Sequence, residues 1–187
     1  MKITSTKEKY LWISTIAVLA GIYATLWIAQ PISTILLNNG LLTPLFFLGM
    51  LLVGITILIF GINKHPDKTF IGVSLGIAAV YLMVFIRIEI PQERTHIIEY
   101  GVVATLIFQA LLERKKQGKK VLFPATTTIL ITGMAGTIDE LLQAIIPNRV
   151  FDMRDILFNF LAGAMAVTAI STLNWASKRT KKRKNNI

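Results

Sequence analysis

The chain reads as long apolar runs separated by short polar punctuation. Residues 10–29 form the first run, after a polar start that carries Lys2, Lys7 and Lys9. Residues 43–62 form the second, closed by the polar turn at 63–68, and residues 69–86 form the third. A loop with Arg87, Glu89, Pro91, Glu93 and Arg94 leads to the fourth run, residues 95–112, which the charged stretch 113–120 ends. Residues 121–146 make the fifth run, stopped by Pro147, and residues 155–175 the sixth, ahead of a basic tail at 178–184. A helix needs about 20 apolar residues to cross a bilayer core, so each run is of spanning length. The pattern predicts an all-α integral membrane protein, a six-helix transmembrane bundle forming one domain over residues 1–187. Residues 30–42 carry no charge, and both a loop lying on the membrane and a shallow re-entrant helix fit them. Asn38, Asn39 and Gly40 within that stretch read as a turn.

A basic start before an apolar run has the order of a secretory signal, but this run is about twice the length of a signal's apolar region. No small-x-small cleavage site follows it. It is therefore expected to stay as an uncleaved first span, with Tyr10, Trp12 and Trp27 at its two interfaces.

Composition supports the membrane reading. Charged residues make up 16% of the chain, against roughly 25% in an average soluble domain. With no cysteine, disulfides and thiolate metal sites are excluded. The formal charge of +10 invites a nucleic-acid partner, but the basic residues lie between and after apolar runs, so none is expected. Their placement sets an orientation instead. With a cytoplasmic N-terminus, 16 of the 20 Lys and Arg residues fall inside, and only Arg87, Arg94, Arg149 and Arg154 fall outside. Both termini are then cytoplasmic in a multi-pass cell-membrane protein, and the tail is a topogenic signal that touches anionic lipid.

The outer side receives the unusual polar residues. His96, Glu99 and Tyr100 share one face at the start of the fourth run. Asp139, Glu140 and Gln143 share a face at the end of the fifth, where Asp139 lies about 27 Å along a helix begun near residue 121. Asp155 and Asn159 occupy the first two turns of the sixth. The three groups come out at one depth, which points to one extracytoplasmic polar site. Charges there are costly unless they serve a purpose, and carboxylates at the C-terminal end of a helix oppose its dipole. Some have plainer explanations. Asp152 and Asp155 have the spacing of a capping box, and Arg149 or Arg154 can pair with Asp139, Glu140 or Asp152. Gly133, Gly136, Ala162, Gly163 and Ala166 would let the fifth and sixth spans pack closely beneath the site.

These residues carry a resemblance. The stretch from Glu93 to Gly101, with His96 and Tyr100, resembles the His-x-x-x-Tyr helix of VanZ-like membrane proteins. Asp139-Glu140 with Gln143, Pro147 with Arg149, and Asp155 with Asn159 and Gly163 resemble that family's other polar motifs, in order, over about residues 90–170. The resemblance implies a cell-envelope protein related to a teicoplanin-resistance protein, and it implies His96, Tyr100, Asp139, Glu140, Gln143, Arg149, Asp155 and Asn159 as the site. It supplies no reaction. Glu99 and Asp152 are less firmly covered by it.

Two functions follow as expectations. In the first, the protein binds or handles an envelope lipid or lipid-linked cell-wall intermediate, altering how a glycopeptide meets its target. Tyr100, Gln143, Arg149, Arg154, Asp155 and Asn159 would hold the ligand, with the arginines suited to phosphate or carboxylate. In the second, it is a membrane-embedded enzyme in which His96, Glu99, Asp139 and Glu140 carry acid–base chemistry on a lipid-linked phosphate or glycosyl ester. No cofactor is assigned. His96 with three carboxylates also makes a donor set for a hard divalent ion, but one histidine on that side argues against a metal.

Overall fold

The computed structural model describes residues 3, 5–45, 47–48, 68–87, 91–147 and 151–184. Among them every regular element is an α-helix: α1 (Thr6–Asn38), α2 (Lys68–Arg87), α3 (Pro91–Lys116), α4 (Pro124–Gln143) and α5 (Met153–Lys184). The third expected run is α2 almost residue for residue. Most of the second, residues 43–62, and the turn after it lie outside the described residues.

Helix ends follow local chemistry. Ser5 caps α1, its Oγ accepting the Glu8 N–H at 3.1 Å. α1 then runs through Pro31 to Asn38, so residues 30–38 are neither a loop nor a separate re-entrant helix. Pro31 removes one main-chain hydrogen bond, and a stretch without charges propagates past that loss. The turn at Asn39 and Gly40 is a Schellman motif: Gly40 N–H reaches Leu37 O at 3.0 Å and Leu41 N–H reaches Leu36 O at 2.8 Å. Gly40 takes a φ of 66°, which glycine adopts without strain. Gly118, with a φ of 77°, ends α3 in the same way. α4 begins with Pro124 in its first turn, later than residue 121, and unwinds through short-range turns at 144–146 before Pro147 is reached. α5 extends beyond residue 175 into the basic tail, since lysine and arginine are good helix formers.

Among the described residues, three helices are long and apolar enough to cross a membrane: Thr6–Ile28 of α1, Thr95–Lys116 of α3 and Met153–Arg179 of α5. α2 carries a shorter apolar stretch, Lys68–Val84. The fold divides into two compact units. One comprises Gln30–Pro91 and Ala169–Ile187. There α2 exposes Ile71, Leu75, Val80, Leu82, Met83 and Ile86.

The other unit, Met1–Ala29 with Gln92–Thr168, contains all the candidate site residues. Ile22 of α1 packs on Val103, Ile107 and Leu111 of α3, while Tyr100, Ala135 and Ala162 bring α3, α4 and α5 together. α4 shows how the unit is built. It buries Thr128, Thr132, Gly133, Ala135, Gly136, Asp139, Glu140 and Gln143. It exposes Leu130, Met134, Ile138 and Leu141. Small and polar residues face the bundle and apolar ones face outward, the reverse of a water-soluble helix and the arrangement a lipid environment favours. The glycines permit the contact with α5. A Cβ at Gly133 would meet the Phe160 ring, one at Gly136 would meet the Asn159 side chain, and Gly163 lies against Ile129 and Thr132. Ala162 and Ala166 are buried on the same seam.

Candidate functional site

Each side chain of the polar cluster is placed by its helix. His96 and Tyr100 stand one turn apart on α3, so their rings stack, with centroids 6.2 Å apart and planes 18° apart. Asp139, Glu140 and Gln143 lie on the buried face of the last turn of α4. Asp155 sits in the first turn of α5, with Asn159 one turn on. His96 is the hub. Its Nδ1 lies 3.8 Å from Asp139 Oδ2. Its Nε2 lies 3.9 Å from Glu140 Oε1 and 3.4 Å from Asp155 Oδ2. Residues from three helices, separated by up to 59 positions in the chain, thus surround one imidazole. His96, Asp139, Glu140, Gln143, Tyr100 and Asn159 are all buried.

Glu140 ties the cluster to the connection that precedes α5. Its Oε1 accepts a hydrogen bond from Gln143 Nε2 at 3.0 Å, and its Oε2 accepts the backbone N–H of Asp152 at 3.0 Å. The Asp152 side chain faces elsewhere. It caps α5 by accepting the Arg154 N–H at 2.8 Å and holds the Arg154 guanidinium, with Nη2 2.7 Å from Oδ2. Hydrogen bonds from Arg154 keep the Asp152 carboxyl below the usual range. The capping spacing therefore divides: Asp152 caps, while Asp155 joins His96. Arg154 lies largely exposed on Asp152, Glu99 is half-buried beyond His96 on α3, and Arg149 lies outside the described residues.

The structure adds two residues that the sequence pattern did not single out. Tyr23 of α1 donates its hydroxyl to Ala135 O at 2.9 Å, and the Tyr100 hydroxyl reaches the same carbonyl at 3.5 Å. Thr132 lies fully buried on the α4 face that carries Asp139. A lone tyrosine or threonine inside an apolar run was their only signal. Several buried polar atoms have no hydrogen-bond partner among the described residues: His96 Nδ1, Asp155 Oδ1, Thr132 Oγ1 and both amide atoms of Asn159. Buried groups of this kind are rare in folded proteins and call for an explanation.

Far from this cluster, about 27 Å along α3, a second polar contact joins α3 to the start of α1. Arg114 Nη1 lies 3.2 Å from Oε1 of the fully buried Glu8. Glu113 receives Gln117 Nε2 at 2.9 Å and lies 3.8 Å from Lys7 Nζ. These groups cap and clamp helix ends.

Residues 88–174 match the family model described as VanZ/LLP1. Those residues form a VanZ-like region. The matched stretch contains α3, α4 and most of α5, and so every residue around His96. No curated protein and no solved structure matches the chain. The VanZ-like stretch and the apolar helices together make this a helical membrane protein.

Proposed function

We propose that this protein handles an envelope lipid or lipid-linked cell-wall intermediate at the His96 cluster, altering how a glycopeptide such as teicoplanin meets its target. The observation that carries the reading is the burial of His96 among Asp139, Glu140 and Asp155 where three helices of an outwardly apolar bundle meet. Polar groups held within apolar helices are expensive and mark functional sites. In this reading the chain crosses the membrane six times, with both termini cytoplasmic and the cluster towards the outer face. The contact of Glu8 with Arg114 supports it, because it joins two stretches that the basic-residue count assigns to the same side.

The test compares cells expressing the wild-type chain with cells expressing His96→Gln or Asp139→Asn. Protection against teicoplanin should be lost while thermal stability, measured in detergent with EDTA, is unchanged. Variants that protect as well as wild type would refute the reading, and so would stability that falls in step with protection.

A second reading, an enzyme acting on a lipid-linked phosphate or glycosyl ester, is favoured by one feature. A histidine flanked by several carboxylates is the arrangement that general acid–base catalysis uses. Turnover of a lipid-linked substrate by purified protein, abolished by His96→Gln, would separate this reading from simple binding.

A further inference from the structure

We propose that His96, Asp139 and Glu140 bind a divalent cation, with Asp155 orienting the imidazole. One donor atom from each of the three lies within 4.8 Å of the others, and all three residues are buried. His96 Nδ1 and Asp139 Oδ2 lie 3.8 Å apart, beyond a good N–H···O hydrogen bond. Neighbouring donors on one ion at about 2.1 Å stand roughly 3–3.5 Å apart, so contraction of the three-residue set, already within 4.8 Å, closes it around a metal.

The unpartnered atoms point the same way. Asp155 Oδ2 is the nearest acceptor to Nε2, so the ring proton belongs on Nε2. That leaves the Nδ1 lone pair facing Asp139 Oδ2. Nδ1 is buried and has no hydrogen-bond partner. Two acceptors turned towards each other in a buried site are reconciled by a cation between them. A carboxylate holding the far nitrogen of a metal-bound histidine is the usual way of setting its tautomer. Asn159, fully buried with both amide atoms unpartnered, stands beside Gly136, one turn of α4 below Asp139 and Glu140. One imidazole with carboxylates, and no thiolate, suits Zn²⁺ or Mn²⁺ better than the all-oxygen sets that Ca²⁺ and Mg²⁺ prefer. The cation does not depend on the lipid reading. Only its use as a seat for a phosphate-bearing headgroup rests on that reading.

The experiment uses the full-length protein in detergent, stripped with EDTA and titrated with Mn²⁺ and with Zn²⁺. One equivalent should bind, with a rise in thermal midpoint that EDTA reverses. His96→Gln and Asp139→Asn should weaken binding by more than about 100-fold, and Asp155→Asn by about 10–100-fold, the range for a group that orients a metal ligand. Electron-spin-echo spectroscopy of the Mn²⁺-bound protein should show one imidazole nitrogen, retained in His65→Gln, the variant of the other histidine. No binding, binding unchanged in His96→Gln, or no imidazole signal would overturn the proposal. The spectroscopic readout needs no variant to fold, and an imidazole signal excludes a doubly protonated His96 held only by its carboxylates. Absent metal together with lost protection in the His96 variant would sink the cation and leave the lipid reading standing.

Discussion

At the scale of single residues, the ion pair of Glu8 with Arg114 is the clearest case of charge bound to stability. Glu8 is fully buried, so Arg114→Met leaves a carboxylate without its guanidinium. Removing one partner of a buried pair costs about 3–5 kcal/mol. The expected result is a matching fall in thermal or denaturant stability, largely recovered in the Glu8→Gln/Arg114→Met double variant. His96, Asp139, Glu140 and Asp155 were legible because ionisable groups stand out in apolar runs and helical rise placed them at one depth. Tyr23 and Thr132 were not, because a hydroxyl inside a spanning helix usually bonds its own backbone and leaves no periodic trace. Arg154 was expected among the ligand-binding residues, yet it lies on Asp152, two positions before it, a local pairing that spacing alone does not distinguish from a longer reach.

At the scale of elements, the seam between α4 and α5 decides close approach. Gly136→Ala would drive a methyl into Asn159, and Gly133→Ala would drive one into the Phe160 ring. Overpacking of this kind costs about 1–3 kcal/mol. Gly101, on α3 with nothing near its missing Cβ, is the contrast. There Gly→Ala should stabilise by about 0.4–1 kcal/mol, because it restricts the unfolded chain. Thermal unfolding of the three variants should separate them by sign. The cap of α5 has a pH signature. The folded Asp152 carboxyl titrates below its ordinary value, so its stabilisation is present above the ordinary carboxylate range and fades as pH falls through the lowered value. The stability difference between wild type and Asp152→Asn should shrink over that acidic window and stay flat near neutrality. Helix bounds were the least legible feature. The first run was bounded at residue 29 and the sixth at residue 175, whereas α1 passes Pro31 to Asn38 and α5 continues through the lysines.

At the scale of the whole molecule, the absence of cysteine provides a blank background for topology. Single cysteines at exposed Met153 and at Gln117 mark opposite ends of the bundle helices that meet the site. In intact cells a membrane-impermeant reagent should label the first and not the second. The reverse pattern would invert the orientation, and labelling of both would break the assignment of sides. The all-helical character was legible because apolar runs of spanning length have few other folds open to them. The seam between α4 and α5 was legible too, from Gly133, Gly136, Ala162, Gly163 and Ala166, whereas the packing of Ile22 of α1 on Val103, Ile107 and Leu111 of α3 was not, because apolar contacts leave no pattern that names a partner.

The hydrogen bond from the Asp152 amide to Glu140 turns one backbone proton into a gauge of the cluster. Its exchange with deuterium is slow only while Glu140 keeps its place. Such a bond contributes about 0.5–1.5 kcal/mol, so Glu140→Ala should speed exchange at Asp152 by roughly 3–10-fold. Any ligand that draws the carboxylate inward should be heard at the same amide, and its occupancy could be followed in detergent or nanodiscs without knowing what the ligand is.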